Sequence, residues 1–445
     1  MLEETGAWPL PAVIVRLPDD GPVSLTSGAH GVAPLYLGVG EESLHVSWDL
    51  TDLLSVQGPP VLDPVMATSY LTYRPHYSSR SLLCGVRRLT ERAVATWSPG
   101  GSLGIRYPSP ARHVLPRTLR PGADPVAYFD GQVKDIISRR AFDASRGAVE
   151  CSGGFDSSTV AQALSTATTT PVQIGALLLS GPPGEQQRRR RAEMAAAAGW
   201  GTDILVPLSE HLPFAPGGAR ADGAVVGVEG AYTEALEVLY TAWREAGVRW
   251  VWTGVGGDEL LALRPEEREL TGEAWRTPDP GAELGRTALE SLPLIGRGLA
   301  PASVLSVSAL SGLAAHSPVA MRHGLWPVSP LADPGLLRFG ESLPLEWRLR
   351  KRLLRVRMER LGLSAEVTEP PLRENFAADL EQAMAVHGLP LLENLMDGSR
   401  LGRAGLLDEV AVRRSIRQAR GDAGRARRLY RPLMLEVAAR SWSLT

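Results

Sequence analysis

Apolar residues along this chain follow two different rhythms. Up to about residue 115 they come in short runs, Pro11-Ala-Val-Ile-Val-Arg-Leu, Pro34-Leu-Tyr-Leu-Gly-Val and Ser43-Leu-His-Val-Ser-Trp, separated by Gly, Pro and Asp. Such runs predict β-strands. A helix is expected from Pro64 to Tyr73 and two strands with a turn from Leu82 to Gly101. Arg112 to Pro125, with three prolines and no apolar period, reads as a linker. Helical spacing then runs from Val126 through Phe142. Beyond it, strands near Gly147, Val172–Leu179, Trp200–Pro207 and Val248–Trp252 alternate with helices at 155 onward, Glu185–Ala198 and Tyr232–Glu245. That alternation implies a parallel sheet covered on both faces, with any nucleotide at the carboxyl ends of its strands. After about residue 280 the pattern is almost wholly helical, and no internal repeat is visible. The expected fold class is therefore α/β with a helical C-terminal part (116–445), preceded by a β-rich domain (1–115).

Composition narrows the function. At 445 residues the chain can bury a large core, and its formal charge of -2 gives no bias toward nucleic acid or an anionic membrane. Cys84 and Cys151 are too few for a disulfide framework or a zinc site, and Cys151 ends an apolar strand as a core residue would. The start, Met-Leu-Glu-Glu-Thr, is acidic and precedes no uninterrupted apolar run. Neither a signal peptide nor a membrane span is expected, and a cytoplasmic enzyme fits. Lys134 and Lys351 are the only lysines among 47 basic residues. The arginine runs at Arg188–Arg191 and Arg413–Arg431 read as solvated helix faces or, alternatively, as a docking surface for an acidic partner.

The chemistry concentrates in two glycine turns. Residues 147 to 163 read as strand, loop and helix start around Ser152-Gly153-Gly154-Phe155-Asp156-Ser157-Ser158. Glycines let the backbone amides turn inward, and serine hydroxyls add donors where a helix N-terminus leaves amides free for an anion. The loop lacks a Gly-Lys-Ser/Thr ending, which separates it from a Walker loop. Asp156 sits where a carboxylate could hold Mg²⁺ against phosphates. A capped helix alone would look similar, but a second strand and glycine turn follows in Trp250-Val-Trp-Thr-Gly-Val-Gly-Gly-Asp-Glu, with Asp258 and Glu259 opening a helix.

Together, Ser-Gly-Gly-x-Asp-Ser-Ser and Gly-Gly-Asp-Glu resemble the ATP-pyrophosphatase loops of the asparagine synthetase superfamily. The resemblance implies ATP held by Ser152, Gly153, Gly154, Asp156, Ser157, Ser158, Gly254, Gly256 and Gly257, with Asp156 and Asp258 as Mg²⁺ carboxylates. It continues in Trp326-Pro-Val-Ser-Pro-Leu-Ala-Asp-Pro, Ser342-Leu-Pro and Lys351-Arg-Leu-Leu-Arg, and is densest from about 147 to 376. Residues 1–115 resemble a shortened, degenerate glutaminase domain of the Ntn type. Such a domain needs a cysteine at its processed N-terminus, and Leu2 stands there, so no glutamine hydrolysis is expected. Lys351 and Arg373 are the implied catalytic cations. Arg373 lies in Pro371-Leu-Arg-Glu-Asn-Phe, where the family more often carries a lysine.

A loop that cradles pyrophosphate suits attack of a carboxylate on the α-phosphorus of ATP, followed by an amine that displaces AMP. Three residues before Asp258, asparagine synthetases carry glutamate and β-lactam synthetases tyrosine, whereas this chain has Val255, which cannot accept a proton. The chain is most similar to lasso peptide cyclases, which would work on a ribosomal precursor peptide beside a leader-binding protein and a leader peptidase. A small-molecule amide synthetase, such as a β-lactam synthetase-like enzyme, shares ATP and Mg²⁺. A non-catalytic scaffold has no need for Asp156, Asp258 and Glu259 together, and a tRNA sulfur-transfer enzyme would need reactive cysteines.

Overall fold

The computed structural model describes residues 12–443 apart from 32–33, 57, 75–76, 140–142, 229 and 272–280. Leu2 and the end of the expected helix at Phe142 lie outside the described residues. The N-terminal part holds β1 (Val13–Arg16), β2 (Val23–Ser27), β3 (Leu35–Val39), β4 (Leu44–Ser47), β5 (Arg87–Leu89), β6 (Val94–Trp97) and β7 (Gly104–Arg106). They form two antiparallel sheets, ordered β1-β2-β6-β7 and β4-β3-β5. The helix Pro64–Leu71 starts where expected, because Asp63 caps the amides of Val65 and Met66 at 3.0 Å and Pro64 needs no amide partner.

The central sheet is parallel and contains β8 (Gly147–Glu150), β9 (Gln173–Leu178), β10 (Asp203–Pro207), β11 (Trp250–Trp252) and β12 (Trp326–Val328). Its order, β10-β9-β8-β11-β12, places the reversal of strand order between β8 and β11. That crevice is where ligands bind in open α/β sheets. The strand β12 is a correction to the helical reading of the chain beyond residue 280. Pro327 hides it from a propensity argument, and as an edge strand it tolerates the missing amide. The helix expected from Glu185 begins earlier, at Gly181, with prolines in its first turn where their missing amides cost nothing.

Packing on the two faces differs. Phe129, Val133, Ile137, Val160, Leu164, Leu331 and Leu354 fill one face. Leu239, Tyr240, Trp243, Val319 and Leu325 fill the other. The helix Pro64–Leu71 shares its core with the last helix, Tyr430–Ser441, through Ala67, Leu71 and Leu433. Polar ties also join the N-terminal residues to the rest of the chain: His30 Nε2 to Asp333 Oδ2 at 3.0 Å, Arg322 Nε to Asp49 Oδ2 at 2.6 Å, and the Ala300 amide to the Tyr77 carbonyl at 2.9 Å. Among the described residues no helix is long and apolar enough to cross a membrane.

Candidate active site

The two glycine loops emerge side by side from β8 and β11. Gly153 turns with a φ of +88°, which a side chain would strain, and the helix Phe155–Ala167 then opens on Gly154 with no side-chain cap. Its first amides are therefore free for an anion. Ser157 braces the turn: its Oγ accepts the Ser152 amide at 3.1 Å and lies 3.2 Å from Ser152 Oγ. Ser158 is placed differently from its neighbours. It is fully buried, and its hydroxyl faces Cys151 Sγ at 3.7 Å beneath the loop. Burial also pushes the Cys151 thiol up, in keeping with a core residue.

The glycines of the second loop are spacing devices. A methyl group on Gly254 would stand 2.7 Å from the Ser157 amide nitrogen, and one on Gly257 2.2 Å from Asp156 Cγ. Gly256 combines a φ of +99° with a contact that a methyl would make 2.4 Å from the Ala332 nitrogen. Gly254 lines the cleft, whereas Gly256 and Gly257 are buried between Asp156 and the Leu331-Ala332 backbone. Asp333, last residue of the Pro-Leu-x-Asp stretch, caps the helix Pro334–Ser342 and accepts from His30.

Lys351 meets both candidate metal carboxylates. Its Nζ lies 2.6 Å from Asp156 Oδ2 and 2.6 Å from Asp258 Oδ1. Arg350 and Lys351 are both left-handed, with φ of 49° and 53°, and such non-glycine residues cost on the order of 1–3 kcal/mol each. The backbone is thus held in a strained form where it delivers the ammonium. Burial would lower the Lys351 pKa, but Asp156 and Asp258 outweigh it and hold the pKa above the usual lysine value. Asp156 is pushed up by burial and by Asp258 and Glu259, with Lys351 opposing.

The other oxygen of Asp156, Oδ1, is buried and has no hydrogen-bond partner among the described residues. An orphaned carboxylate oxygen beside the exposed Asp258, two carboxylates in all, fits Mg²⁺, which takes one or two carboxylates and completes its shell with phosphates and water. Among the described residues no group of three or more metal-ligating side chains forms a site without phosphate.

Arg373 is exposed, and no described contact joins it to the cleft, although its neighbours are anchored: the Leu372 amide donates to Gln186 Oε1 at 2.9 Å and Glu374 Oε2 accepts from Arg190 Nη1 at 2.6 Å. The Arg188–Arg191 run needs correction. Arg188 and Arg189 face solvent, but Arg190 and Arg191 are buried, paired with Glu374 and Asp203. Arg191 packs under the first loop, 3.1 Å from where a methyl on Gly153 would sit, with Nε and Nη1 unpartnered among the described residues. A buried cation behind an anion-binding turn reinforces it.

The cleft over these loops has a volume of about 410 Å³, with Ser152, Gly154, Asp156, Ser157, Val255 and Phe376 among its lining residues. Motif reasoning missed Glu150 and His316 in its wall and the buried Tyr240 that both contact, because they come from three distant stretches and match no spacing rule.

A parallel sheet with facing glycine loops at its switch point, behind a β-rich segment and before a helical one, is an α/β fold of the ATP-pyrophosphatase type. Residues 312–443 match the sequence model of the asparagine synthase family, which supports an asparagine synthetase-like superfamily and an ATP-dependent carbon–nitrogen ligase that uses ATP, usually with Mg²⁺. The matched segment lies C-terminal to both glycine loops, so loops and match are independent observations. No curated protein sequence matches the chain.

Proposed function

We propose that this chain adenylates a side-chain carboxylate of a ribosomal peptide and joins it to the peptide's N-terminal amine, closing a macrolactam and releasing AMP and pyrophosphate. The observation that carries this reading is the extent of the acceptor space. The cleft over the loops shares Gly230, Ala231 and Ala315 with a neighbouring cavity of about 380 Å³, which in turn shares Pro34, Trp48, Arg88 and Ala314 with a third of about 260 Å³. This run follows the junction between the β-rich segment and the helix Val307–Arg322, and Tyr36, Trp48, Tyr70, Tyr77 and Trp326 line it. A single amino acid needs only the first cavity, whereas a folded peptide needs an extended aromatic trough.

In this reading the free amides at the start of Phe155–Ala167 and the hydroxyls of Ser152 and Ser157 hold the β- and γ-phosphates. Mg²⁺, carried by Asp156 and Asp258, would neutralise phosphate charge. The peptide carboxylate attacks the α-phosphorus, pyrophosphate leaves, and the amine then displaces AMP from the acyl group. Because that amine exists only after leader cleavage, a leader-binding protein and a leader peptidase are the proposed partners.

The test supplies ATP, Mg²⁺ and either linear peptides bearing one aspartate or glutamate, with a free N-terminal amine, or free aspartate and related amino acids. Expected are AMP, pyrophosphate and a peptide product lighter by one water. Turnover on free amino acids alone would assign the chain to small-molecule amide synthesis instead.

A further inference from the structure

Amide formation from an acyl-adenylate requires the attacking amine to lose a proton, and the position that carries glutamate or tyrosine in related loops is Val255 here. Val255 still faces the cleft, so the proton must go to another group in the same wall. Glu150 and His316 line that wall, and Tyr240 lies buried behind them. Glu150, at the end of β8, accepts from the Tyr240 hydroxyl through Oε1 and contacts His316 Nε2 through Oε2 at 2.5 Å; Tyr240 Oη also lies 3.1 Å from that ring nitrogen. Glu150 and His316 line the cleft beside Ser152, Asp156 and Gly254, with side chains 17% and 22% exposed. Both protein hydrogen bonds of the His316 ring fall on Nε2, leaving Nδ1 without one among the described residues.

We propose that His316 Nδ1 is the proton acceptor for the attacking amine, with Glu150 and Tyr240 as positioning residues. The inference rests on the amide-ligase reading above. A carboxylate on one ring nitrogen fixes that nitrogen as N–H and leaves the other as a bare acceptor, the same logic by which a buried acid orients a catalytic histidine. The amine nitrogen bonds to the acyl carbon, the bond from that carbon to the phosphate oxygen breaks, AMP leaves with the electron pair, and the amine proton moves to Nδ1. The imidazolium so formed is stabilised by the Glu150 charge. Tyr240 cannot take this role: burial and Glu150 push its pKa far up, so it remains a donor.

The titratable surroundings are few. Glu150 faces the ring from β8 and Tyr240 from the helix Thr233–Glu245, while β12 offers no titratable group. His316 itself sits on the helix Val307–Arg322, and His30, from the N-terminal segment beside that helix, is turned to Asp333. Along the same helix end, Arg322 pairs with Asp49 and His323 bonds Thr241 Oγ1 at 3.4 Å, with Arg244 beside it. Burial alone would lower the His316 pKa, but the Glu150 charge and hydrogen bond outweigh it and hold it above 6.5.

Two measurements decide the matter. In the ligand-free protein, nitrogen-resolved NMR of the His316 ring is expected to show the proton on Nε2 in the neutral form and a titration above 6.5 that falls in Glu150→Gln. A neutral ring carrying its proton on Nδ1, or a titration indifferent to Glu150→Gln, overturns the proposal. With ATP, Mg²⁺ and the linear peptides, His316→Gln is expected to keep pyrophosphate release while losing amide formation by roughly a hundredfold or more. Hydroxylamine, neutral without a base, should restore capture of the acyl group. Wild-type amide formation should rise with pH as the imidazole loses its proton, and Glu150→Gln should move that rise to lower pH. Equal loss of both steps in His316→Gln, or loss of neither, also overturns it. Wild-type protein that releases no pyrophosphate with any carboxylate refutes the ligase reading itself, and the NMR result separates the two failures.

Discussion

Gln187 Nε2 donates to the Ser152 carbonyl at 2.9 Å and to the Leu177 carbonyl at 3.0 Å, while its Oε1 accepts the Leu179 amide at 3.0 Å. One buried amide thus ties the first glycine loop to the neighbouring strand. Gln187→Leu keeps the helix but leaves two carbonyls and an N–H without partners, each costing about 1–3 kcal/mol. A melting temperature lower by roughly 5 °C or more is expected, together with a smaller upward shift on adding ATP. An unchanged melting curve would show that water replaces the side chain without cost.

Much of this loop was legible in sequence, and the parts that were not share a cause. Ser152, Gly153, Gly154 and Asp156 announce themselves because strand, turn and helix start follow one another within a few residues. Gln187 and Arg191 do the supporting work from a helix whose arginines look like a solvated face. Only the fold shows that the helix Gly181–Ala198 presents Gln186, Gln187, Arg190 and Arg191 inward and Arg188 and Arg189 outward. The parallel sheet follows from alternating strands and helices, yet β12 escapes because Pro327 and its three-residue length carry no periodic signal. His316 and Glu150 lie far apart in the chain, and nothing local to either marks a partner.

Gly257 and Asp156 are in contact, so the smallest side chain at Gly257 must move the carboxylate. Gly257→Ala is expected to lower pyrophosphate release about a hundredfold, the usual cost of a displacement near 1 Å, with the fold retained. Asp156→Asn should abolish release without lowering the melting temperature. Burial outweighs the pull of Lys351 and raises the folded pKa of Asp156, so its ionised form adds no net stability at neutral pH, and Lys351 keeps Asp258 as a partner in the variant. Paired assays of pyrophosphate and thermal melting test both variants, and activity within a few-fold of wild type in Asp156→Asn would sink the assignment.

Glu91 gives a pH dependence of known sign. It is packed beneath Tyr77, whose hydroxyl donates to Oε2 and accepts the Glu91 amide at 3.0 Å, and burial pushes its pKa from 4.5 to about 7. Because the folded pKa is the higher one, its stabilising effect is complete below pH 4.5 and is lost as pH rises toward 7. The loss across that window is about 3 kcal/mol. Glu91→Gln should therefore melt higher than wild type at pH 8 and close to it at pH 4.5. Denaturant melts at the two pH values check this, and a variant less stable at pH 8 would contradict it.

Lys351 and Arg373 are rivals for the cationic role in adenylation, and the geometry ranks them. The family resemblance favours Arg373, which stands at a loop lysine position, but that side chain is exposed and makes no contact with the cleft among the described residues. Exposed charges without a fixed partner contribute about 0–1 kcal/mol, so Arg373→Ala should change turnover by no more than about fivefold. Lys351 instead lies 2.6 Å from a carboxylate on each glycine loop and is held there by a left-handed backbone. Removing a cation placed where phosphate charge develops costs about 3 kcal/mol or more of transition-state stabilisation, roughly a hundredfold. Lys351→Ala should show that loss in AMP release with ATP binding less affected. Lys351→Arg should not restore it, since a planar fork cannot occupy the compact point between Asp156 and Asp258. Single-turnover AMP release and equilibrium ATP binding, measured in all three variants, separate the two cations. If Arg373→Ala proves the more damaging, the loop Pro371–Phe376 must close over the cleft during turnover, and the ranking drawn from this geometry fails.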